Sequence, residues 1–325
     1  MNSIFQHLEP APDWTNDELY LGTDRWYRSL KSISVLYRWA LIHSNDDLIR
    51  LLRMRQSWLA QQQYRADDNL LDQLISSWPL LDRQPRIWAC MHIGPYAMIA
   101  RALMILGRKL AILLREDVFE EQGQIYLQQF KLSFGREAVE AELMFIKADR
   151  GNPLLKLREA LFKGYDVIIF IDGQLHFGEP GRGWARIKLH TTDLLLREGA
   201  AALAHWTGTA IRPLIVTTIA GQIKLRITED FCVKSKANYS VAMQQIFDLL
   251  QTLDAEELLQ WECLPTIFEG QADPADKKLG EAIWLPFLVG GTGMLFDIAT
   301  GISVGIGAKE FEIAFRKFKK IGVIP

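Results

Sequence analysis

Arg86-Ile-Trp-Ala-Cys-Met-His92-Ile-Gly-Pro-Tyr96 and Asp166-Val-Ile-Ile-Phe-Ile171-Asp172-Gly173-Gln174 share one construction: an apolar run, a polar residue closing it, then turn residues. Short apolar runs bounded by Gly and Pro read as buried strands. Pro95 suits the first turn of a following helix, where its missing N–H costs nothing, and Asp-Gly is a strong turn signal. In open α/β sheets ligands bind outside the carboxyl ends of strands. His92 and Asp172 are therefore expected at one crevice.

Working outward, strands are expected at 86–92, 109–115, 143–147, 166–172, 185–190, 210–218 and 223–230, with helices at 95–107, 118–132, 152–163 and 193–207. This alternation predicts an α/β fold with a mostly parallel central sheet flanked by helices. Leu30, Ile33, Leu36 and Trp39, then Leu48, Leu51, Leu52 and Trp58, recur at helical spacing, and Asn45-Asp46-Asp47 supplies a cap and an acidic first turn. The expectation is one continuous domain over 1–325: a helical N-terminal part (1–84), a sheet core (85–235) and a helical C-terminal part (236–325).

The chain has 325 residues, 49% hydrophobic and 23% charged, long enough to bury a core. Its formal charge of −2 gives no reason to expect a nucleic-acid partner. Cys90, Cys232 and Cys263 are odd in number and lack metal spacing, which reads as reduced thiols in a cytoplasmic protein. The first residues lack the basic and apolar regions of a signal peptide. The stretch from Ile283 to Ile306 contains Pro286 and Asp297, and reads as a buried or surface-docked segment rather than a span. Its Gly290-Gly291-Thr292-Gly293 reads as a turn, since no P-loop Lys-Ser/Thr follows. The tail from Phe311 to Ile321 intersperses aromatic and basic residues, as an amphipathic cap or as a peripheral contact with anionic lipid or an acidic carrier protein.

Two readings stand for each candidate side chain. His92 is a general base at a helix start, where free N–H groups at Ile93-Gly94 hold an oxyanion, or it is a hydrogen-bonded core histidine. Asp172 is a loop turn residue or the group that positions an acceptor. Cys90 shares a strand face with His92, as a thiol partner or as a small buried hydrophobe. Arg115, closing Leu110-Ala-Ile-Leu-Leu-Arg115, grips a charged substrate end or pairs with Glu116 or Asp117.

Three blocks in this order resemble the lysophospholipid acyltransferase superfamily, and within it the lipid A secondary acyltransferases. They are Cys90-Met-His92-Ile-Gly-Pro-Tyr-Ala97, Phe170-Ile-Asp172-Gly-Gln174, and Gly199-Ala-Ala-Ala-Leu203-Ala204 through Gly208 to Pro213. The likeness spans roughly 85–220, with a weaker echo at Gln260-Trp261-Glu262. It implies an acyltransferase in lipid or natural-product biosynthesis, moving an acyl group from a phosphopantetheine-linked thioester, on acyl carrier protein or coenzyme A, to an amine or hydroxyl of a small acceptor. His92 would be general base and Asp172 the second catalytic residue, placing the acceptor. Arg115, Gly94, Gly173, Gln174, Trp184 and Arg186 would line the substrate site. No metal or redox cofactor is implied, because a thioester is already activated. The location implied is cytoplasmic, with peripheral contact at the inner membrane face as an option.

The chain departs from the family at Ala97, where the family carries the acid that orients the imidazole, a role a carboxylate plays in serine-protease triads. Either the acceptor is an amine, already partly unprotonated near neutral pH, or another carboxylate replaces the missing one. The alternatives to transfer are hydrolysis of the thioester and an inactive homologue that binds an acyl chain or carrier protein.

Overall fold

A computed structural model describes residues 20–60, 67–80, 82–173, 175–176, 181–268 and 283–320. In chain order the helices are α1 (Asp24–Arg38), α2 (Asn45–Ala60), α3 (Asp68–Ser76), α4 (Ala97–Ile105), α5 (Glu116–Phe134), α6 (Pro153–Phe162), α7 (Gly199–Thr207), α8 (Tyr239–Phe247), α9 (Ala255–Leu258) and α10 (Ala308–Lys319). The strands are β1 (Ile87–Cys90), β2 (Leu110–Leu114), β3 (Leu143–Lys147), β4 (Asp166–Phe170), β5 (Leu175–His176), β6 (Trp184–Leu189), β7 (Thr192–Arg197), β8 (Ile211–Ile219), β9 (Gln222–Ile227), β10 (Trp284–Val289), β11 (Thr292–Asp297) and β12 (Ser303–Gly305).

The chain divides into two compact units: Gln62–Cys263, and Met1–Gln61 with Leu264–Pro325. The first unit holds a six-stranded sheet in the order β3-β2-β4-β1-β8-β9. All neighbours are parallel except β8 and β9, which form an antiparallel pair at one edge. β1 is buried at all four positions, the unbroken apolar pattern of a strand covered on both faces. At the opposite edge from the crevice, the buried Asp166 carboxylate ties the strand starts together. It accepts hydrogen bonds from Arg86 N (2.9 Å), Trp88 Nε1 (2.9 Å) and Arg108 Nε (2.7 Å).

One expected helix is in part a strand. Residues 193–207 read as helical, but Thr192–Arg197 forms β7, paired antiparallel with both β6 and β5, and the helix starts only at Gly199. Leu194-Leu195-Leu196 is too short a run for its period to separate helix from strand. The hairpin turn at His190-Thr191 decides it, with His190 at φ +50°.

In the second unit the C-terminal part is not wholly helical, as it was expected to be: β10, β11 and β12 form an antiparallel sheet. Gly290 and Gly291, at φ +57° and +82°, give the left-handed pair that a two-residue hairpin turn requires. Pro286 is tolerated because β10 is an edge strand, and its carbonyl accepts from Trp26 Nε1 of α1 at 2.9 Å. The aromatic residues of the tail lie on α10 with Phe311, Phe315 and Phe318 buried, while Arg316, Lys317 and Lys319 face outward. The aromatic face of this helix is thus part of the unit's own core. Among the described residues no helix is long and apolar enough to cross a membrane.

Gly94 is the tightest point of the sheet's upper edge. Its φ is +62°, and a Cβ there would sit 2.1 Å from the Val216 carbonyl oxygen of β8. Gly107 has φ +79° with open space around it. Gly107→Ala should therefore cost only the left-handed strain of about 1–2 kcal/mol, and Gly94→Ala clearly more, read from denaturant unfolding. Equal losses would show that the backbone clash at Gly94 carries no weight.

Candidate active site

Cys90 lies opposite Phe170 across the parallel β1–β4 pair, and the Ile171 amide donates to the Cys90 carbonyl at 3.0 Å. Two residues further on each chain come His92 and Asp172. In-register parallel neighbours send their side chains to the same face, so the imidazole and the carboxylate meet. Asp172 Oδ1 lies 2.7 Å from His92 Nδ1, and Oδ2 accepts from the His92 backbone amide at 2.8 Å.

The imidazole's carboxylate partner therefore comes from two residues beyond the end of β4. Ala97 itself is a buried residue at the start of α4. The role expected for Asp172 changes accordingly. Its side chain is 0% exposed, and its oxygens are taken up by His92 and by Trp261 Nε1 at 2.7 Å. It orients the ring and has no face left for an acceptor.

Trp261 is the functional residue that the sequence showed only as an echo. Helix α9 is anchored when Glu257 binds the Arg226 guanidinium and the Thr217 hydroxyl. Gln260 then pairs with the Thr218 backbone through its side chain, accepting at 2.9 Å and donating at 2.6 Å. The Glu262 amide donates to the His92 carbonyl at 2.8 Å. These bonds thread residues 257–262 along the ends of β1 and β8 and carry the indole to Asp172.

Electrostatics follow from the burial. Burial disfavours the imidazolium, but the Asp172 carboxylate, with help from Glu262, outweighs it and leaves the His92 pKa above its ordinary 6.5. Burial also disfavours the Asp172 anion, yet the imidazole and the bonds from His92 and Trp261 hold its pKa below 3.8. An ionised Asp172 can only accept, so Nδ1 carries the proton and donates it in a hydrogen bond, and the neutral ring has its lone pair on Nε2. The ring is stacked on Phe170 (4.5 Å between centroids) and met edge-on by Tyr96 (5.0 Å), which leaves it little freedom to turn.

His92 lines a cavity of about 880 Å³ over the carboxyl ends of β2 and β4, with walls from α5, α6 and α7. Its side chain is 18% exposed, so the ring is neither sealed in the core nor turned to the far face of the sheet. Leu113, Leu114, Leu154, Ile169 and Phe170 make much of the wall apolar. Gly173 lies against the ring: a Cβ on it would stand 3.9 Å from His92 Cε1.

The other expected site residues distribute unevenly. Arg115 lines the cavity but its guanidinium holds Asp117 through two bonds, at 3.1 and 2.7 Å. Gly94 gives no oxyanion donor, since its amide donates to the Gln260 carbonyl and that of Ile93 to Met91. Trp184 and Arg186 lie on β6, and neither is among the described residues that line the cavity. Gln174 lies outside the described residues. Cys90 is fully buried, and burial with the nearby Asp172 charge pushes its thiol pKa up, so it acts as a packed apolar group. Cys263 completes a His92–Asp172–Cys263 group whose ligating atoms lie within 4.8 Å of one another. A metal there would have to displace the His92–Asp172 bond.

Replacing Asp172 by Asn removes the opposing charge and leaves the burial. The His92 titration followed by NMR should then fall from above 6.5 to below it; an unchanged midpoint would remove Asp172 as its partner. Trp261→Phe keeps the ring but not its N–H, a loss of about 1.5–3 kcal/mol for a bond to a charged group. It should lower the free energy of unfolding by that amount, read from denaturant unfolding; an unchanged stability would show that the indole bond to Asp172 carries no weight.

The chain matches no family model and no curated protein.

Proposed function

We propose that this chain is an acyltransferase. It transfers an acyl group from a thioester, on acyl carrier protein or coenzyme A, to an amine or hydroxyl of a small acceptor. The observation that carries this reading is the His92–Asp172 pair, its Nε2 on the side away from the carboxylate, at the edge of a largely apolar cavity. The order of the three sequence blocks, which resembles that of the lysophospholipid acyltransferases, supports the choice of a thioester donor.

In this scheme the acceptor N–H or O–H attacks the thioester carbonyl while Nε2 takes its proton. The carbon–sulfur bond then breaks, and the imidazolium returns the proton to the leaving thiolate. Asp172 keeps the proton on Nδ1 and stabilises the imidazolium between the two steps, the generalised triad role. Gly173 leaves room beside the ring for the reacting carbonyl. With a carboxylate in place, a hydroxyl acceptor needs no special excuse, and the case for an amine that rested on Ala97 loses its premise.

Acylated carrier protein, incubated with the full chain and a panel of amines and alcohols, should yield acyl product by intact mass. His92→Ala should lower the rate by about 10²–10⁴, the range of general base catalysis; unchanged transfer would end the proposal. Because the base must be neutral, the wild-type rate should rise with pH through a midpoint above 6.5. Free acid formed equally fast without any acceptor would instead make the chain a thioesterase.

A further inference from the structure

We infer that His92, Asp172 and Cys263 together bind a thiophilic divalent cation, zinc, through Nδ1, Oδ1 and Sγ, and that the bound cation silences His92 as a base by moving its ring proton to Nε2. The site rests on geometry and donor chemistry. Only its effect on turnover rests on the acyl-transfer reading.

All three residues belong to the unit Gln62–Cys263. His92 and Asp172 follow the paired strands β1 and β4. Cys263 comes two residues after Trp261, on the segment that the Glu262 amide ties to the His92 carbonyl at 2.8 Å. It is a thiol rather than a disulfide sulfur, and it donates to the Asp172 backbone carbonyl at 3.4 Å. One possible ligand atom from each of the three residues lies within 4.8 Å of the other two. Asp172 Oδ2 is committed to Trp261 Nε1 at 2.7 Å and to the His92 amide at 2.8 Å, while Oδ1 takes the ring bond. The two Oδ2 bonds can persist around a metal and keep Oδ1 aimed, the outer support that ligating carboxylates depend on.

Thiolate, imidazole and carboxylate form a donor set that suits zinc, whereas magnesium and calcium take oxygen ligands. Two tetrahedral ligands at about 2.0 Å from zinc stand about 3.3 Å apart. Nδ1 and Oδ1 are 2.7 Å apart, so the pair opens by about 0.6 Å to admit the metal. The cation then stands where the Nδ1 proton stood, facing a carboxylate that is already anionic. The Cys263 thiol gives one proton to water. The neutral ring keeps its single proton, now on Nε2, and water completes the tetrahedron. Entry is open, since His92 is 18% exposed and lines the cavity and Cys263 is half-buried. A protonated Nε2 can donate but can no longer accept a proton from an attacking N–H or O–H.

The test is metal titration of the reduced full chain with no acyl substrate present. Co²⁺ should give the near-ultraviolet absorption of a cobalt–thiolate bond, Zn²⁺ should displace it, and Mg²⁺ should not. Cys263→Ser should abolish that absorption and weaken Zn²⁺ binding at least about tenfold, the lower end of what losing even an outer partner of a metal site costs. Cys232→Ser, at the exposed cysteine, should keep both. In ¹⁵N spectra, Zn²⁺ should move the His92 ring proton from Nδ1 to Nε2. A missing cobalt–thiolate absorption, binding that survives Cys263→Ser, or a proton that stays on Nδ1 overturns the inference. With acylated carrier protein and acceptor present, Zn²⁺ should lower the transfer rate. Zinc bound at Nδ1 in a chain that shows no His92-dependent transfer would remove the acyltransferase reading and leave the metal site standing.

Discussion

The Asp172 carboxylate is the constraint on which the site depends. Buried, it would be costly as an isolated anion, and three N–H donors compensate it: the His92 ring, the His92 backbone and the Trp261 indole. Each of those bonds also sets part of the local geometry. The ring bond fixes the tautomer, the backbone bond fixes where β1 ends, and the indole bond closes the back of the site. Removing any of the donors leaves a buried charge short of a partner, which ties the stability of this corner to its geometry.

β4 carries a buried carboxylate at or just beyond each end, and each one accepts from a tryptophan indole: Asp166 from Trp88, Asp172 from Trp261. The difference lies in the remaining partners. Asp166 is met by the Arg108 guanidinium, a permanent cation, so its end of the strand is a fixed electrostatic clamp. Asp172 is met by an imidazole, whose charge changes with a proton. The end that can change charge is the one that opens on the cavity, and the clamped end holds the strands in register so that His92 and Asp172 stay opposite one another.

The cavity itself is a product of topology. β2, β3 and β4 end beneath the first turns of α5, α6 and α7, the arrangement that places ligand sites at the carboxyl edge of parallel sheets. Apolar strand ends supply its walls, and the β6–β7 hairpin supplies part of its lining.

The sequence by itself determined the α/β class, the parallel core strands and the meeting of His92 with Asp172, because strand period and turn chemistry are local and a parallel pair in register puts equivalent ends together. It did not reach β7 or the β10–β12 sheet, whose short apolar runs become strands only through their hairpin partners. Tertiary structure alone decided which way the Asp172 carboxylate points and that it bonds the His92 ring. It also brought in Trp261, which lies far along the chain and is carried to the site by the Glu257 and Gln260 bonds. Those roles depend on long-range hydrogen bonds to buried groups, and no spacing of residues along a chain encodes them.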